Sequence, residues 1–218
     1  MFLFFLGLIA FAVGFVMARS NARSKTPGRL TSLVGIVLAA IGFFTATIKI
    51  VEPGQVAVKK LFGEITPEVL GNGMHLVNPF ADLTYFDIKV QNFTMAAATN
   101  EGGDASEEPL HVLSSDGLEV VIDVSILYHL QPEQTPRLLE ETGTDYRDRL
   151  VRPISRTKIR DNAVYYDAVS LYSTKREEFQ TRIFNSIKDD FNKRGIELEQ
   201  ILIRNIRLPE SVRKTIES

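Results

Sequence analysis

Two long apolar runs at the start of the chain constrain its fold more than any other feature. Residues 2–18 and residues 30–48 contain no charged side chain, and the first 51 residues contain no aspartate or glutamate. At about 1.5 Å per residue, each run would form a helix of roughly 26–28 Å, close to the thickness of a bilayer's hydrocarbon core. The sequence therefore predicts two transmembrane helices, at about residues 2–18 and 30–48, joined by a loop at residues 19–29.

The loop between the runs is basic and predicts the orientation of the chain. It carries Arg19, Arg23, Lys25 and Arg29. Only Lys49 follows the second run directly. Because basic residues near membrane spans stay in the cytoplasm, we expect a multi-pass protein of the cell inner membrane with residues 50–218 on the non-cytoplasmic side. The alternative is a hairpin that dips into one leaflet and returns the domain to the cytoplasm. A cleaved signal peptide is less favoured, because the first run lacks a positive n-region.

Small residues recur at helical spacing in both runs. They are Gly7, Ala10, Gly14 and Ala18 in the first run, and Gly35, Ala39, Gly42 and Ala46 in the second. Steps of three and four place each set on one helix face, where small side chains allow close approach of membrane helices. We expect a packed seam within the hairpin or between subunits. The alternative is chance, since Gly and Ala are common in membrane helices.

Charge is divided unevenly along the chain. All 27 acidic side chains follow position 51, whereas five of the 25 Lys and Arg lie in residues 1–49. The first 49 residues therefore carry +5 and the remainder −7. A net acidic domain is a poor nucleic-acid binder, because phosphate contacts need a basic surface. The absence of cysteine excludes disulfides, thiol nucleophiles and Cys-ligated zinc.

Alternating apolar residues predict a β-rich part at about residues 51–131. Strands are expected at residues 55–65, 85–93 and 118–130. The last is the clearest, because one face carries Val120, Ile122, Val124, Ile126 and Tyr128. Residues 96–109 are rich in Gly, Ala and acidic side chains, which indicates an exposed loop.

Helical periodicity follows the strands. It predicts helices at residues 132–142 and 145–162, and a third with apolar side chains four residues apart at Phe179, Ile183, Ile187 and Phe191. Thr174 and Glu177 fit a capping box at the start of this third helix, and Gly195 fits the left-handed residue after its end.

A final strand is predicted at residues 196–208, with a break in alternation near Gln200. Pro209 then opens a helix that reaches Ser218 without a visible cap. We expect the natural protein to continue as a long helix. Strands followed by helices indicate an α+β fold, with residues 132–208 as its mixed helical and strand part.

The sequence offers little catalytic or metal-binding chemistry. His75, His111 and His129 lie far apart, so structural roles are favoured over metal ligation. Serine residues lack an obvious base partner, and there is no Gly-rich phosphate loop or G-x-S-x-G motif. We therefore expect a non-enzymatic protein with no cofactor and no bound metal.

An arginine stripe is the one polar pattern that stands out. Its members, at spacings of three, four and four, are Arg149, Arg152, Arg156 and Arg160. Arginine clusters suit carboxylates and phosphates through bidentate hydrogen bonds. Three interpretations stay open: contact with the acidic surface of a neighbouring subunit, a solvated face partly neutralised by nearby aspartates, and contact with lipid headgroups.

A series of short motifs carries a family resemblance. In order along the chain they are Val51-Glu52-Pro53-Gly54-Gln55, Gly73-Met74-His75-Leu76-Val77-Asn78-Pro79-Phe80, Ser115-Asp116-Gly117-Leu118-Glu119-Val120, Val151-Arg152-Pro153-Ile154, Arg194-Gly195-Ile196, Arg204-Asn205-Ile206 and Leu208-Pro209-Glu210. Over about residues 51–218 the chain resembles the SPFH, or band 7, family of stomatins, prohibitins and flotillins. It looks most like bacterial prohibitin-type members.

The resemblance implies an SPFH domain at residues 50–208, followed by a long coiled coil of which residues 209–218 are the start. It also implies large homo-oligomeric rings or cages on a membrane. Relatives act as scaffolds that enclose membrane proteins, including AAA-type membrane proteases, or organise membrane microdomains. The chain departs from many prohibitin-like relatives in having two apolar runs instead of one.

Two functions of different classes follow. The first is a scaffold anchored in the lipid bilayer, which encloses or regulates client membrane proteins. The alternative is a stomatin-like regulator that binds a channel, transporter or protease in a small complex. A membrane-bound hydrolase is least favoured, because no nucleophile with a base in reach is recognisable.

Overall fold

The structure is a computed structural model that describes residues 25–96 and 108–208, together with Ile9 and Ala12. Within the helix that starts at Lys25, side chains are described from Val34 onwards. Several sequence predictions fall outside these residues. They are the helix at residues 2–18 with Gly7, Ala10, Gly14 and Ala18, most of the acidic loop, and the helix at residues 209–218.

The chain divides into two compact units. The first comprises the residues up to Thr66 together with Leu70–Tyr85, and the second comprises Pro67–Val69 and the residues from Phe86. The strand-then-helix order gives an α+β fold, as the sequence predicted.

A long helix precedes the strands of the first unit. Helix α1 spans Lys25–Thr47, so it starts within the basic segment that the sequence assigned to a loop. The expected hairpin of two spanning helices is not found in the part of the chain that the structure describes, where no helix is both long enough and apolar enough to cross a bilayer.

Two small sheets follow α1. A two-stranded ribbon consists of β1 (Ile48–Val51) and β4 (Gly73–Leu76), paired antiparallel. A three-stranded sheet of order β3-β2-β5 consists of β2 (Gln55–Leu61), β3 (Glu64–Leu70) and β5 (Ala81–Asp87). Their core is a cluster of Val51, Ala57, Leu70 and Val77, with Ala81 and Leu83 packed against it.

The predicted strand at residues 55–65 is wrong, because a turn divides it. Phe62 and Gly63 both have positive φ, at 50° and 94°, and they join β2 to β3. Two successive left-handed residues form a type I′ hairpin turn. Phe62 continued the apolar alternation of Val56 and Val58, which concealed the turn.

The second unit is built on the long strand β8. Its four strands are β6 (Gln91–Met95), β7 (Leu110–Leu113), β8 (Glu119–Leu130) and β9 (Ile196–Arg207). Strand β9 pairs along one edge of β8, while β6 and β7 share the other edge. The predicted face of β8 is confirmed, since all five of its apolar side chains are at most 1% exposed. The predicted break near Gln200 is confirmed as a bulge, because Gln200 pairs with Leu127 but Leu198 pairs with Tyr128.

Six helical segments lie between β8 and β9. They are a 3₁₀ turn and α2 (Pro132–Gln134 and Thr135–Glu141), a π-helical turn continuing into α3 (Arg147–Val151 and Arg152–Ala163), α4 (Ala168–Tyr172) and α5 (Arg176–Asn192). The predicted core face of α5 is confirmed, because Phe179, Ile183, Ile187 and Phe191 are fully buried.

The predicted capping box at Thr174 is wrong. Helix α5 begins at Arg176, and Lys175 is its N-cap without a side-chain hydrogen bond. The Lys175 N–H donates to the Ser170 carbonyl at 2.9 Å. This bond spans the turn between α4 and α5, so Thr174 lies in the connection before α5 and is not its N-cap.

Candidate interaction surfaces

The described part of α1 exposes large apolar side chains on most of its circumference. They are Val34, Ile36, Val37, Ile41, Phe43 and Phe44, each between 44% and 67% exposed. The small residues occupy the remaining side: Gly35 and Gly42 are buried, and Ala39 and Ala46 are half-buried. The structure thus places the four seam residues on one face. Their packing against a second helix stays a prediction.

The β1–β4 ribbon has a second apolar surface, which the sequence did not reveal. Ile48 and Ile50 lie opposite Leu76 and Met74 respectively, so all four side chains share the outer face of the ribbon. Their exposed fractions run from 39% at Ile48 to 77% at Leu76. Strands of four residues are too short for a recognisable alternation, and the partners lie far apart in sequence. We call these four side chains the ribbon face.

The arginine stripe lies along one flank of α3 and of the π-helical turn before it. Arg149 and Arg160 are exposed, while Arg152 and Arg156 are half-buried. Arg152 Nη2 lies 2.9 Å from Asp148 Oδ1, one turn earlier. This ion pair matches the expectation that nearby aspartates partly neutralise the stripe.

The other flank of α3 faces α5. Lys158 Nζ lies 3.0 Å from Asp190 Oδ2, and Arg182 Nε donates to Asn162 Oδ1 at 2.9 Å. The hydrogen bond from Lys158 lowers the pKa of the Asp190 carboxyl below its usual value. Successive residues of a helix are 100° apart around its axis. The stripe and Lys158 therefore lie on opposite sides of the line through the buried residues Ser155 and Ile159. The stripe is therefore directed away from α5.

A shallow groove of about 490 Å³ lies at the start of α5. It is lined by Tyr166, Glu177, Glu178, Thr181, Arg182 and Asn185. The Tyr166 hydroxyl donates to Glu178 Oε1 at 3.0 Å, and burial together with this carboxylate raises the pKa of the Tyr166 phenol. The Arg182 guanidinium stacks over the Tyr165 ring at 4.2 Å. These partners within the chain account for the groove's main polar groups.

The histidines lie in separate places. His75 Nε2 is 2.8 Å from the Gly71 carbonyl oxygen, and His111 Nδ1 is 2.7 Å from Glu119 Oε1. His129 lies between two carboxylates, 2.9 Å from Glu199 and 3.5 Å from Glu197. Within the described ranges, no three His, Asp or Glu side chains are grouped as a metal site would require.

Comparison with known proteins assigns the chain to a family. A model of the SPFH domain / Band 7 family matches residues 49–218. The chain belongs to this family. The relatives of this SPFH chain include the mitochondrial prohibitin complex protein 1 of Caenorhabditis elegans, 26% identical over 196 residues, which are 88% of this chain and 66% of that protein.

Prohibitin-1 of Saccharomyces cerevisiae is 23% identical over 185 residues, which are 84% of this SPFH chain and 59% of the yeast protein. The chain thus spans less than two thirds of the length of these relatives. The resemblance to prohibitins drawn from the motifs is confirmed. The family is of a membrane scaffold type, and its members are generally non-enzymatic.

Proposed function

We propose that this SPFH chain is a membrane-anchored scaffold that assembles into a large ring or cage. The ring would organise a membrane microdomain and enclose or regulate client membrane proteins such as AAA-type proteases. One observation carries the proposal: α1, with large apolar side chains exposed around most of its described surface, continues directly into the SPFH fold. Such a surface is unfavourable in water and favourable in lipid.

The anchor in this proposal is the helical hairpin of residues 2–18 and 30–48. The small-residue seam of Gly35, Ala39, Gly42 and Ala46 would pack against the first helix or against a neighbouring subunit. The basic segment between the runs would stay in the cytoplasm. The SPFH domain would then lie on the non-cytoplasmic side of the cell inner membrane.

The assembly in this proposal uses the arginine stripe. Identical chains packed side by side meet through two different surfaces, and such contacts close only as a ring. The stripe is directed away from α5, and Arg149 and Arg160 are exposed at its ends. In a domain with an acidic excess, the next copy offers many carboxylates as partners. Charge pairing of this kind sets the register between neighbours, while apolar burial supplies most of the energy.

Size distinguishes the scaffold from the alternative regulator. The chain would be extracted from membranes in mild detergent and its mass measured by light scattering and electron imaging. The scaffold predicts closed particles of many copies. A small complex of one or two copies with one partner protein would instead favour the regulator.

Charge reversal tests the contribution of the stripe. Arg149→Glu with Arg160→Glu alters two exposed side chains, so the fold should persist while the oligomer dissociates to smaller species on native gels. The matched control reverses two exposed basic residues elsewhere, Lys188→Glu with Lys193→Glu. Unchanged assembly of the stripe variant, or equal loss in the control, would remove the stripe from the subunit contact.

A further inference from the structure

Helix α4 carries two large side chains on its outer side that the described part of the chain leaves exposed. Its inner side is occupied, because Ala168 and Leu171 are fully buried. Val169 and Tyr172 are 41% and 53% exposed, and their spacing of three residues places them on one face of the helix. We call these two side chains the α4 patch. The exposed carboxylate of Glu177 follows in the first turn of α5.

The last strand of the domain passes beside α4. Helix α5 has 17 residues, a length of about 26 Å, and the eight residues from Ile196 to Ile203 span about the same distance in β9. Accordingly, the Arg176 guanidinium at the start of α5 donates to the Ile203 carbonyl. The strand residues after Ile203 therefore run past the start of α5, on the side where α4 contacts β9. The described chain ends there, at the half-buried Leu208.

The segment that follows has an apolar stripe of its own. Leu208, Val212 and Ile216 are four residues apart, so they share one face of the helix predicted at residues 209–218. At 100° per residue, Arg213 lies on a flank of this stripe and Lys214 on the opposite side. A single stripe of this kind needs a partner surface, and a basic side chain at its edge suits a surface with a carboxylate nearby.

We propose that residues 209–218 dock through this stripe on the α4 patch of the same chain, with Arg213 paired to Glu177. The same chain is the occupant because its attachment point lies beside the patch. Val212 follows Leu208 by four residues, so the closure costs little conformational entropy. The contact adds to the proposed scaffold a defined direction in which the chain leaves the SPFH domain.

The absence of cysteine from the chain allows the contact to be tested by cross-linking. One cysteine is placed in the patch, as Val169→Cys or Tyr172→Cys, and a second in the segment, as Val212→Cys or Ile216→Cys. Lys214→Cys, on the opposite side of the segment, is the matched control with each patch cysteine. The full-length variants are treated in mild detergent with dibromobimane, which fluoresces when it joins two neighbouring thiols, and are then separated by mass on denaturing gels.

The expected result is a fluorescent band at the mass of one chain. Because opposite sides of a helix are about 10 Å apart, the stripe positions should react about tenfold faster than Lys214→Cys. Equal rates at the stripe and control positions, or no fluorescent product, would overturn the proposal. A product with the mass of two chains would also overturn it, because a second copy would then cover the patch. The two patch cysteines are independent, so if circular dichroism shows that one variant has lost its fold, the other decides.

Charge reversal tests the pairing of Arg213 with Glu177. In the chain with Val169→Cys and Val212→Cys, Glu177→Arg should slow the cross-linking about twofold to fivefold, as expected for the loss of an exposed ion pair. Adding Arg213→Glu should restore the rate, because the two charges are then exchanged. Glu140→Arg, an equally exposed change on α2, is the control and should leave the rate unchanged. A rate that stays low after both reversals would refute the pairing.

Discussion

Replacing Gly195 with alanine tests how the connection between α5 and β9 is packed. Gly195 has a φ of +75°, a backbone conformation that residues other than glycine rarely adopt. A Cβ at this position would overlap the Cβ of Gln134 and lie 3.6 Å from its Cα. The neighbouring Gln131 N–H donates to the Gly195 carbonyl at 2.9 Å, so the two segments cannot separate without losing a hydrogen bond.

The cost has two parts of comparable size. Forcing an L residue into the left-handed conformation costs about 1–2 kcal/mol. Overpacking against an atom next to the backbone, which cannot rotate away, adds about 1–3 kcal/mol. We therefore expect Gly195→Ala to lower the free energy of unfolding by about 2–5 kcal/mol.

Two further variants separate these parts. Gly143 has φ of +87°, but a Cβ there would meet nothing within 4 Å, so Gly143→Ala should cost only the conformational part. In a Gln134→Gly background the overlapping atom is absent, and the penalty of Gly195→Ala should fall to the value found at Gly143.

The assay is urea unfolding of the detergent-solubilised chain, followed by far-ultraviolet circular dichroism. The reasoning is refuted if Gly195→Ala and Gly143→Ala cost the same. It is also refuted if removing the Gln134 side chain leaves the Gly195→Ala penalty unchanged, because the overlap would then contribute nothing.

The remaining predictions concern the β2–β3 turn and the contact between α3 and α5. Phe62→Asn should stabilise the chain by about 1 kcal/mol, because asparagine tolerates positive φ and Asn-Gly favours this turn type. Phe62→Ala is the control in thermal unfolding experiments. An equal gain in thermal stability for both variants would contradict the reasoning. The lowered pKa of Asp190 means that its ion pair stabilises the fold above about pH 4 and is lost as pH falls further. Asp190→Asn should therefore lower the free energy of unfolding at pH 7 and weaken its dependence on pH in the acid range. Asp189→Asn, as the control, should leave that pH dependence unchanged.

The parts of the fold that were predictable from sequence are those with one long, continuous buried face. Strand β8 alternates over twelve residues and α5 repeats its apolar residues over four turns, so each period is unmistakable. The bulge near Gln200 in β9 was also recognisable, because the extra residue shifts the alternation in a long strand. In each case burial against the core imposes the pattern.

The parts that were missed depend on contacts between distant segments or on backbone geometry. Phe62 looked like the next core residue of a strand, but its positive φ turns the chain there. Predicting the ribbon face requires knowledge of how β1 and β4 pair, and no local sequence pattern contains that register. Similarly, the spacing of the arginines predicted a common flank, whereas only the contacts of Lys158 and Asn162 show which flank of α3 meets α5.

The joint between α1 and β1 has a mechanical consequence. With no residue between Thr47 and Ile48, and with the Val77 N–H bound to the Thr47 carbonyl, the joint contains no hinge. Helices in bilayers adjust to acyl-chain length by tilting. In the proposed membrane anchor, any tilt of α1 would therefore be passed to the ribbon as a rotation, and the thickness of the surrounding lipid would influence the orientation of the first unit.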